Sequence, residues 1–414
     1  MAHDKLHFEL PAKTKTWSFA LMGFGALASI IGWFTDHSAD HNYWWAVLLI
    51  CSFFFFAVAL GALFFYAVQY AAEVAWTAQL KRVFEAMFSY IPIGFATVAV
   101  VLLIGQFHGH HLYHWMDSDT IDPTNLEKYD PIIAGKHPYL SAWFFWLRIL
   151  IYGAVFIGFG YFFRKWSLQE DNAYSVEHHL MQHRKSAVFL VFFAVFSSTI
   201  SWDVLMSIGV HWFSTMYGWY VFSGMWVTCM IFATLLLLWL KGKGYLSKVN
   251  DSHIHDMGKW IFAVSMLWSY LYFCQYMLIW YSNIPEEVTY FQERYENYMA
   301  GMWAVFFCNF AIPFYTLIAR DAKRNPKFLK RVGCILFVTH FLDLWMAVVP
   351  GTNHGHEIGH HAGFWEQFMH WTFTFGMFLG FLGLFIYIVT KALTKARLIP
   401  INHPFLNESE NHHI

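Results

Sequence analysis

Asp203, Asp343, Arg148 and His340 are the residues from which chemistry would start in this sequence, because each falls inside a long apolar run. An ionisable side chain in such a setting is costly unless it is paired or hydrated, so its presence asks for a reason. Asp203 stands about five residues from the end of its run, near 7 Å deep at roughly 1.5 Å per residue. Arg148, on the preceding run, reaches nearly the same depth if the two runs are antiparallel. A structural ion pair is one reading of Arg148 and Asp203; a proton-carrying site is the other. His340 and Asp343 are three residues apart and therefore share one helix face. An imidazole beside a carboxylate could relay a proton or accept one from a bound hydroxyl; a satisfied polar contact between helices is the plain alternative.

More titratable groups stand where the apolar runs end. The stretch Asn250 to Phe291 opens with Asn250, Asp251, Ser252, His253, His255 and Asp256, continues apolar from Trp260 to Tyr281, and closes on Asn283, Pro285, Glu286 and Glu287. Glu73 and Glu85 sit near the same inner level as the histidines. Gln106, His211, Gln275, Glu366 and His370 sit near the level of Glu286 and Glu287. Two half-paths for protons are expected: an inner one through Glu85, His253, His255 and Asp256, and an outer one through Asp203, Asp343, His340, Glu286 and Glu287. The plain alternative is that helix ends are polar simply because they face water.

Metal and haem chemistry finds less to hold it. His108, His110, His111 and His114 precede Asp117, Asp119, Asp122 and Asp130 in one long connection, and His354, His356, Glu357, His360 and His361 crowd another. Neither has a cysteine nor a regular helical histidine pair, so no metal is expected and solvated loop residues are. The connection Trp166 to Lys185, with Glu170, Asp171, His178, His179 and His183, is expected to be a solvated linker. Cys51, Cys229, Cys274, Cys308 and Cys334 lie singly in apolar blocks with no CxxC or CxxCH spacing, and read as small core residues. Covalent haem c and iron–sulfur clusters are therefore not expected in this chain. A haem held by two histidines is disfavoured because only His340 is deep.

The elements that must position these groups are long helices. The chain is 58% hydrophobic and 13% charged, against roughly 25% charged in ordinary globular domains, and its apolar residues come in blocks of membrane-spanning length. An all-α polytopic membrane protein follows. The expected spans are 17–34, 43–70, 83–107, 142–163, 187–208, 217–240, 257–281, 299–318, 332–349 and 368–392, about ten. The first of these is expected as a retained helix rather than a signal peptide, since no small-residue cleavage site follows it. Basic residues fall in alternate connections: Lys81 and Arg82; Arg164, Lys165, Arg184 and Lys185; Lys241, Lys243 and Lys248; the run from Arg320 to Arg331; and both end segments. By the positive-inside rule both termini are expected in the cytoplasm. The net charge of -1 and the absence of a basic stripe exclude a nucleic-acid partner.

A weak internal repeat groups the helices. Ser201-Trp202-Asp203-Val204-Leu205-Met206 and Leu342-Asp343-Leu344-Trp345-Met346 share Asp-x-x-Met at similar depth, four spans apart. The expected organisation is an arm and first helix (1–42), a first four-helix bundle with the long outer loop (43–210), a second four-helix bundle (211–350), and an outer loop, last helix and tail (351–414).

Four stretches resemble a known family: NDSHIHDM (Asn250 to Met257), WSYLYFCQYMLIWYSNIPEEVTYF (Trp268 to Phe291), SWDVLMSIGVHWFSTMYGWY (Ser201 to Tyr220) and the tail from Pro404 to Glu410. They are similar to the smaller of the two large membrane subunits, the F subunit, of alternative complex III, a bacterial quinol:cytochrome c or quinol:oxidase oxidoreductase. Those subunits are of the NrfD and polysulfide-reductase type, with paired four-helix bundles. The resemblance implies a bacterial inner-membrane subunit that binds no redox cofactor itself. Its implied partners are a sister NrfD-like subunit, multihaem and monohaem cytochrome c subunits, an iron–sulfur subunit and a terminal oxidase, with haem and iron–sulfur centres in those partners and lipid around it. The expected tasks are scaffolding and proton conduction, which leaves open whether the chain counts as an enzyme. One alternative gives the chain its own quinol site, with His340 or Asp343 as proton acceptor. Another is a stand-alone secondary transporter, for which helices broken at mid-membrane would be expected.

Overall fold

The computed structural model describes residues 7–125, 127–172, 174–352 and 364–413, with side chains from Gln367 onward in the last of these segments. The expectations placed on His354, His356, Glu357, His360 and His361 fall outside the described residues, and that on Glu366 outside the described side chains.

Among the described residues there are ten helices long and apolar enough to cross a membrane: Ala12–Thr35 (α1), Ala39–Ala71 (α2), Lys81–Gln106 (α3), Ala142–Glu170 (α4), Val176–Val204 (α5), Thr215–Gly242 (α6), Asp251–Ser282 (α7), Pro285–Leu317 (α8), Pro326–Gly351 (α9) and Gln367–Leu393 (α10). Helices are what lipid permits, because each backbone N–H and C=O must find its partner inside its own segment. No strand occurs among the described residues beyond a single bridge between His7 and Arg397. That bridge brings the two end segments to one face, as an even number of crossings requires.

Hydropathy alone sets most of these elements, and the exceptions are local. α8 begins at Pro285, with Glu286 and Glu287 in its first turn, rather than at the Met299 expected from the apolar run. Its first turns, reading TYFQERYENY, are too polar to register as a span although they are helical. The same helix leaves helical geometry at Tyr298 (φ -133°, ψ 27°) and carries a π-helical turn at Phe307–Ala311. Extra residues of this kind are accommodated by widening one turn, often at functional positions.

α2 to α5, the first helix group, and α6 to α9, the second, meet through α2 on α6 and α5 on α6, contacts as extensive as those within each group. α2 is buried almost all round, and its run Phe53-Phe54-Phe55-Phe56 fills the seam against Phe337, Phe378 and Phe385. α1 and α10 run side by side so closely that a Cβ on Gly25 would come within 2.3 Å of the Gly380 Cα. Gly376 and Ala28 meet in the same way one turn on. Small residues are the means by which helices in lipid gain dispersion contact without a hydrophobic driving force between them. The outward faces are apolar: Trp17, Phe34, Leu150, Val191, Trp280 and Tyr315 are all exposed. Cys334 is exposed on the same outer surface, so it is not the core residue its surroundings in sequence suggested.

The segment after α10 does not hang free. The Ile401 N–H donates to Asp171 Oδ1 (3.2 Å) and the Asn402 side chain to the Asp171 carbonyl (3.0 Å). Ser409 donates to the Trp76 carbonyl (2.9 Å), and the His412 carbonyl accepts from Asn250 (2.7 Å). The tail therefore crosses the end of α4, the connection after α2 and the start of α7, on the side of the His7–Arg397 bridge.

Candidate functional site

Asp203 and Arg148 form the pair their depths suggested. Arg148 Nε and Nη2 donate to the two oxygens of Asp203, each at 2.8 Å, a fork-on-fork contact. Tyr152 adds a third hydrogen bond at 2.8 Å. The remaining Arg148 nitrogen donates to the Tyr139 carbonyl (2.9 Å), and the guanidinium lies 3.9 Å from the Tyr139 ring centre. Both charges are buried and each polar atom on this pair is used. Such a carboxylate is matched on both oxygens by a fixed countercharge, which offsets the cost of burying it.

Asp343 sits at the matching position of α9 and is built differently. Its Oδ2 accepts from Trp268 Nε1 (2.9 Å) and its Oδ1 from the Tyr220 hydroxyl. No lysine or arginine lies within ion-pair distance among the described residues. His340 Nδ1 stands 3.8 Å from Oδ2, and both His340 nitrogens are buried without a hydrogen-bond partner. A buried polar group without a partner is costly unless water or a moving proton serves it.

The arginine that would complete the likeness exists. Arg294 lies on the helix before α9, as Arg148 lies on the helix before α5, and each is followed four residues later by a tyrosine, Tyr298 and Tyr152. Arg294 also lies against a tyrosine ring, 3.4 Å from the centre of Tyr290, and donates to that residue's carbonyl (2.7 Å). Its other nitrogens go to the carbonyls of Met346 (2.9 Å) and Ala347 (3.0 Å) near the end of α9. The break at Tyr298 has no counterpart in α4. Arg294 thus serves the carbonyls at the end of α9 and makes no ion pair with Asp343.

Asp343 lines two of three neighbouring cavities that lie toward the side away from the His7–Arg397 bridge. One of about 260 Å³ is lined by His211, Trp212, Tyr217, Tyr290, Glu293 and Arg294. A second of about 20 Å³ shares Tyr290 and Arg294 with it and reaches Tyr220, Tyr272, Gln275 and Asp343. A third of about 30 Å³ shares Tyr220 and Asp343 and reaches His340, Gly224 and Thr228. Each of the small ones has room for a water molecule and several polar atoms to hold it. Inward of His340, the facing residues Phe337, Leu336, Val332, Ile231 and Phe232 are buried and apolar.

The inner residues fall into two clusters rather than one path. Glu85 belongs to the first helix group, where Arg82 (2.8 Å), Arg164 (2.7 Å) and Ser167 all donate to it and Arg82 also pairs with Asp171. It is as fully countered as Asp203. His253, His255 and Asp256 lie in the second group. Asn250 caps α7 by accepting from the Ser252 and His253 N–H groups, and the His253 ring closes the reciprocal contact, so His253 has a structural task. Asp256 receives Lys259 (2.6 Å) and His412 (2.7 Å), with His255 3.6 Å away. Glu286 is exposed and Glu287 half-buried at the outer start of α8, where their charge suits a helix N-terminus; neither contacts Asp343.

One further expectation changes. The connection from Trp166 to Lys185 is not a solvated linker: Glu170 and His179 are buried, and Lys81 pairs with Glu170 at 2.5 Å. α4 and α5 simply continue past the apolar runs into this polar sequence, and the tail covers them. The residues missed by the sequence reading are Arg294, Tyr220 and Trp268. The recurring Arg-x-x-x-Tyr, at 148–152 and 294–298, is the signal that could have found the first. Comparison with known proteins returns no relative for this arrangement: no family model matches the sequence, and no curated protein matches it.

Proposed function

We propose that this chain is a membrane subunit of a quinol-oxidising respiratory complex of the alternative complex III kind in a bacterial inner membrane, and that it passes protons through its outer half by way of Asp343 and His340. The sequence resemblance supports the first statement. The second rests on one observation: of two buried carboxylates, Asp203 is paired with a bidentate arginine, while Asp343 has only neutral donors, an unpartnered imidazole nearby and two water-sized cavities against it. On this reading the outer path narrows to His340 and Asp343, with Asp203 and Glu85 as fixed ion pairs. Haem and iron–sulfur centres belong to the partner subunits, and this chain holds them beside the membrane.

The test uses the assembled complex in sealed vesicles. Asp343→Asn should lower the protons moved per electron while leaving haem content and subunit composition intact. An unchanged proton-to-electron ratio refutes the relay.

A quinol site in this chain has one observation in its favour, a cavity of about 430 Å³ walled by Tyr43, Tyr298, Trp345 and Trp371 between α2, α8, α9 and α10. His340 and Asp343 do not line it, so a quinol ring there would need other proton acceptors. The transporter reading expects paired broken helices; α8 carries a π turn but its counterpart α4 runs unbroken.

A further inference from the structure

The inner end of the first helix group gathers ligands of a kind the sequence reading assigned to water. Glu170 closes α4, His179 stands in the first turns of α5, and His403 arrives from the tail, more than two hundred residues away. A carboxylate oxygen of Glu170 and ring nitrogens of the two histidines all lie within 4.8 Å of one another. All three residues are buried: Glu170 is 0% exposed, His179 4% and His403 7%. Glu170 Oε1 has no hydrogen-bond partner, nor has either nitrogen of His179. Buried polar atoms left open in a converging set need a ligand, a water or an ion. A cavity of about 20 Å³, lined in part by Tyr70, Lys81, His179 and His403, lies against them.

We propose that Glu170, His179 and His403 bind a divalent transition-metal ion, zinc by preference, which fastens the tail to the first helix group. Two imidazoles and one carboxylate form a ligand set that zinc takes, with a water completing four-coordination. Lys81, 2.5 Å from Glu170 Oε2, orients the carboxylate while leaving Oε1 open. His403, brought in by the tail, presents its ring within this set and lines the adjoining cavity. His403 Nδ1 accepts from the Phe405 N–H at 3.2 Å. Metal at Nδ1 replaces that contact, and metal at Nε2 moves the ring proton onto Nδ1 and breaks it. Either way a single long hydrogen bond is exchanged for a metal bond. Lys81, Arg82 and Arg164 already balance Glu85, Glu170 and Asp171, so the ion adds positive charge and binds less tightly than it would beside an unshared carboxylate.

The proposal does not depend on the proton relay. Its test uses the full chain without an oligohistidine tag, with His108, His111, His354, His356, His360 and His361 replaced by glutamine so that outer histidines do not compete. After chelator treatment, titration with Zn²⁺ alone should show one ion per chain, and His179→Gln or His403→Gln should weaken that binding by at least roughly tenfold. Zinc should also slow proteolysis of the tail. Equal zinc uptake with and without His179 and His403 overturns the proposal. Should either variant fail to fold, X-ray absorption on the zinc-loaded chain with both residues intact decides: two imidazole ligands are expected, and a shell with one or none overturns it.

Discussion

At the scale of single residues, Asp203 and Asp343 should respond oppositely to the same change. Asp203→Asn leaves Arg148 buried without its countercharge, and breaking such a pair costs roughly 3–5 kcal/mol. Asp343→Asn removes no ion pair and should cost less than half as much. Thermal unfolding of the two single variants in detergent checks this, and equal losses would erase the distinction between a fixed and an exchangeable acid. His403 gives a pH signature. Its pKa is depressed in the folded protein, first by burial and then by Lys81, His179 and Arg82, so below the ordinary histidine value of about 6.5 the undocked tail binds more protons than the docked one. Docking is therefore fully supported above about pH 6.5 and weakens as pH falls, by at most roughly 1.4 kcal/mol per unit. Limited proteolysis of the tail between neutral and mildly acid pH measures it. Replacement by glutamine, His403→Gln, should remove the part of the dependence due to this ring.

At the scale of elements, the contact between α1 and α10 depends on the absence of side chains. Gly25→Leu should force the two helices apart, because any Cβ there meets the Gly380 backbone, whereas Gly23→Leu, with nothing within 4 Å of its Cβ, should be tolerated. The yield of monodisperse protein and its thermal midpoint compare the two; similar behaviour would mean the seam contributes little. Elements of this kind were legible in the sequence to different degrees. Apolar blocks announced all ten spans in order, since lipid leaves a twenty-residue greasy run little choice but a helix, but α4 ends 7 residues later and α5 begins 11 residues earlier than the apolar runs indicate. The outer segment of α8 was not announced, because Glu286, Glu287, Glu293 and Arg294 give it the look of a loop. The Arg148–Asp203 pair was legible from depth alone. The placement of Arg294 was not, because it depends on carbonyls of another helix. Nor could local pattern show that His403, in a short polar tail, packs against Glu170 and His179.

At the scale of the whole molecule, ten crossings and the His7–Arg397 bridge put both end segments on one side, and the basic connections argue that this side is the cytoplasm. In a background with the native cysteines replaced, a cysteine at Lys128 should react with an impermeant thiol reagent added to intact cells, and one at Lys243 only after lysis. The reverse result would invert the molecule and with it the direction of the proposed relay. The tail has a consequence for how the protein is made. Its anchors, Asp171, Trp76, Asn250 and Asp256, belong to both halves of the structure, and residues 398–412 leave the ribosome only after α1 to α10. Seating that segment is thus a molecular signature that α1 to α10 are in place, and proteases that probe unseated segments would distinguish such chains from those with helices missing or misplaced.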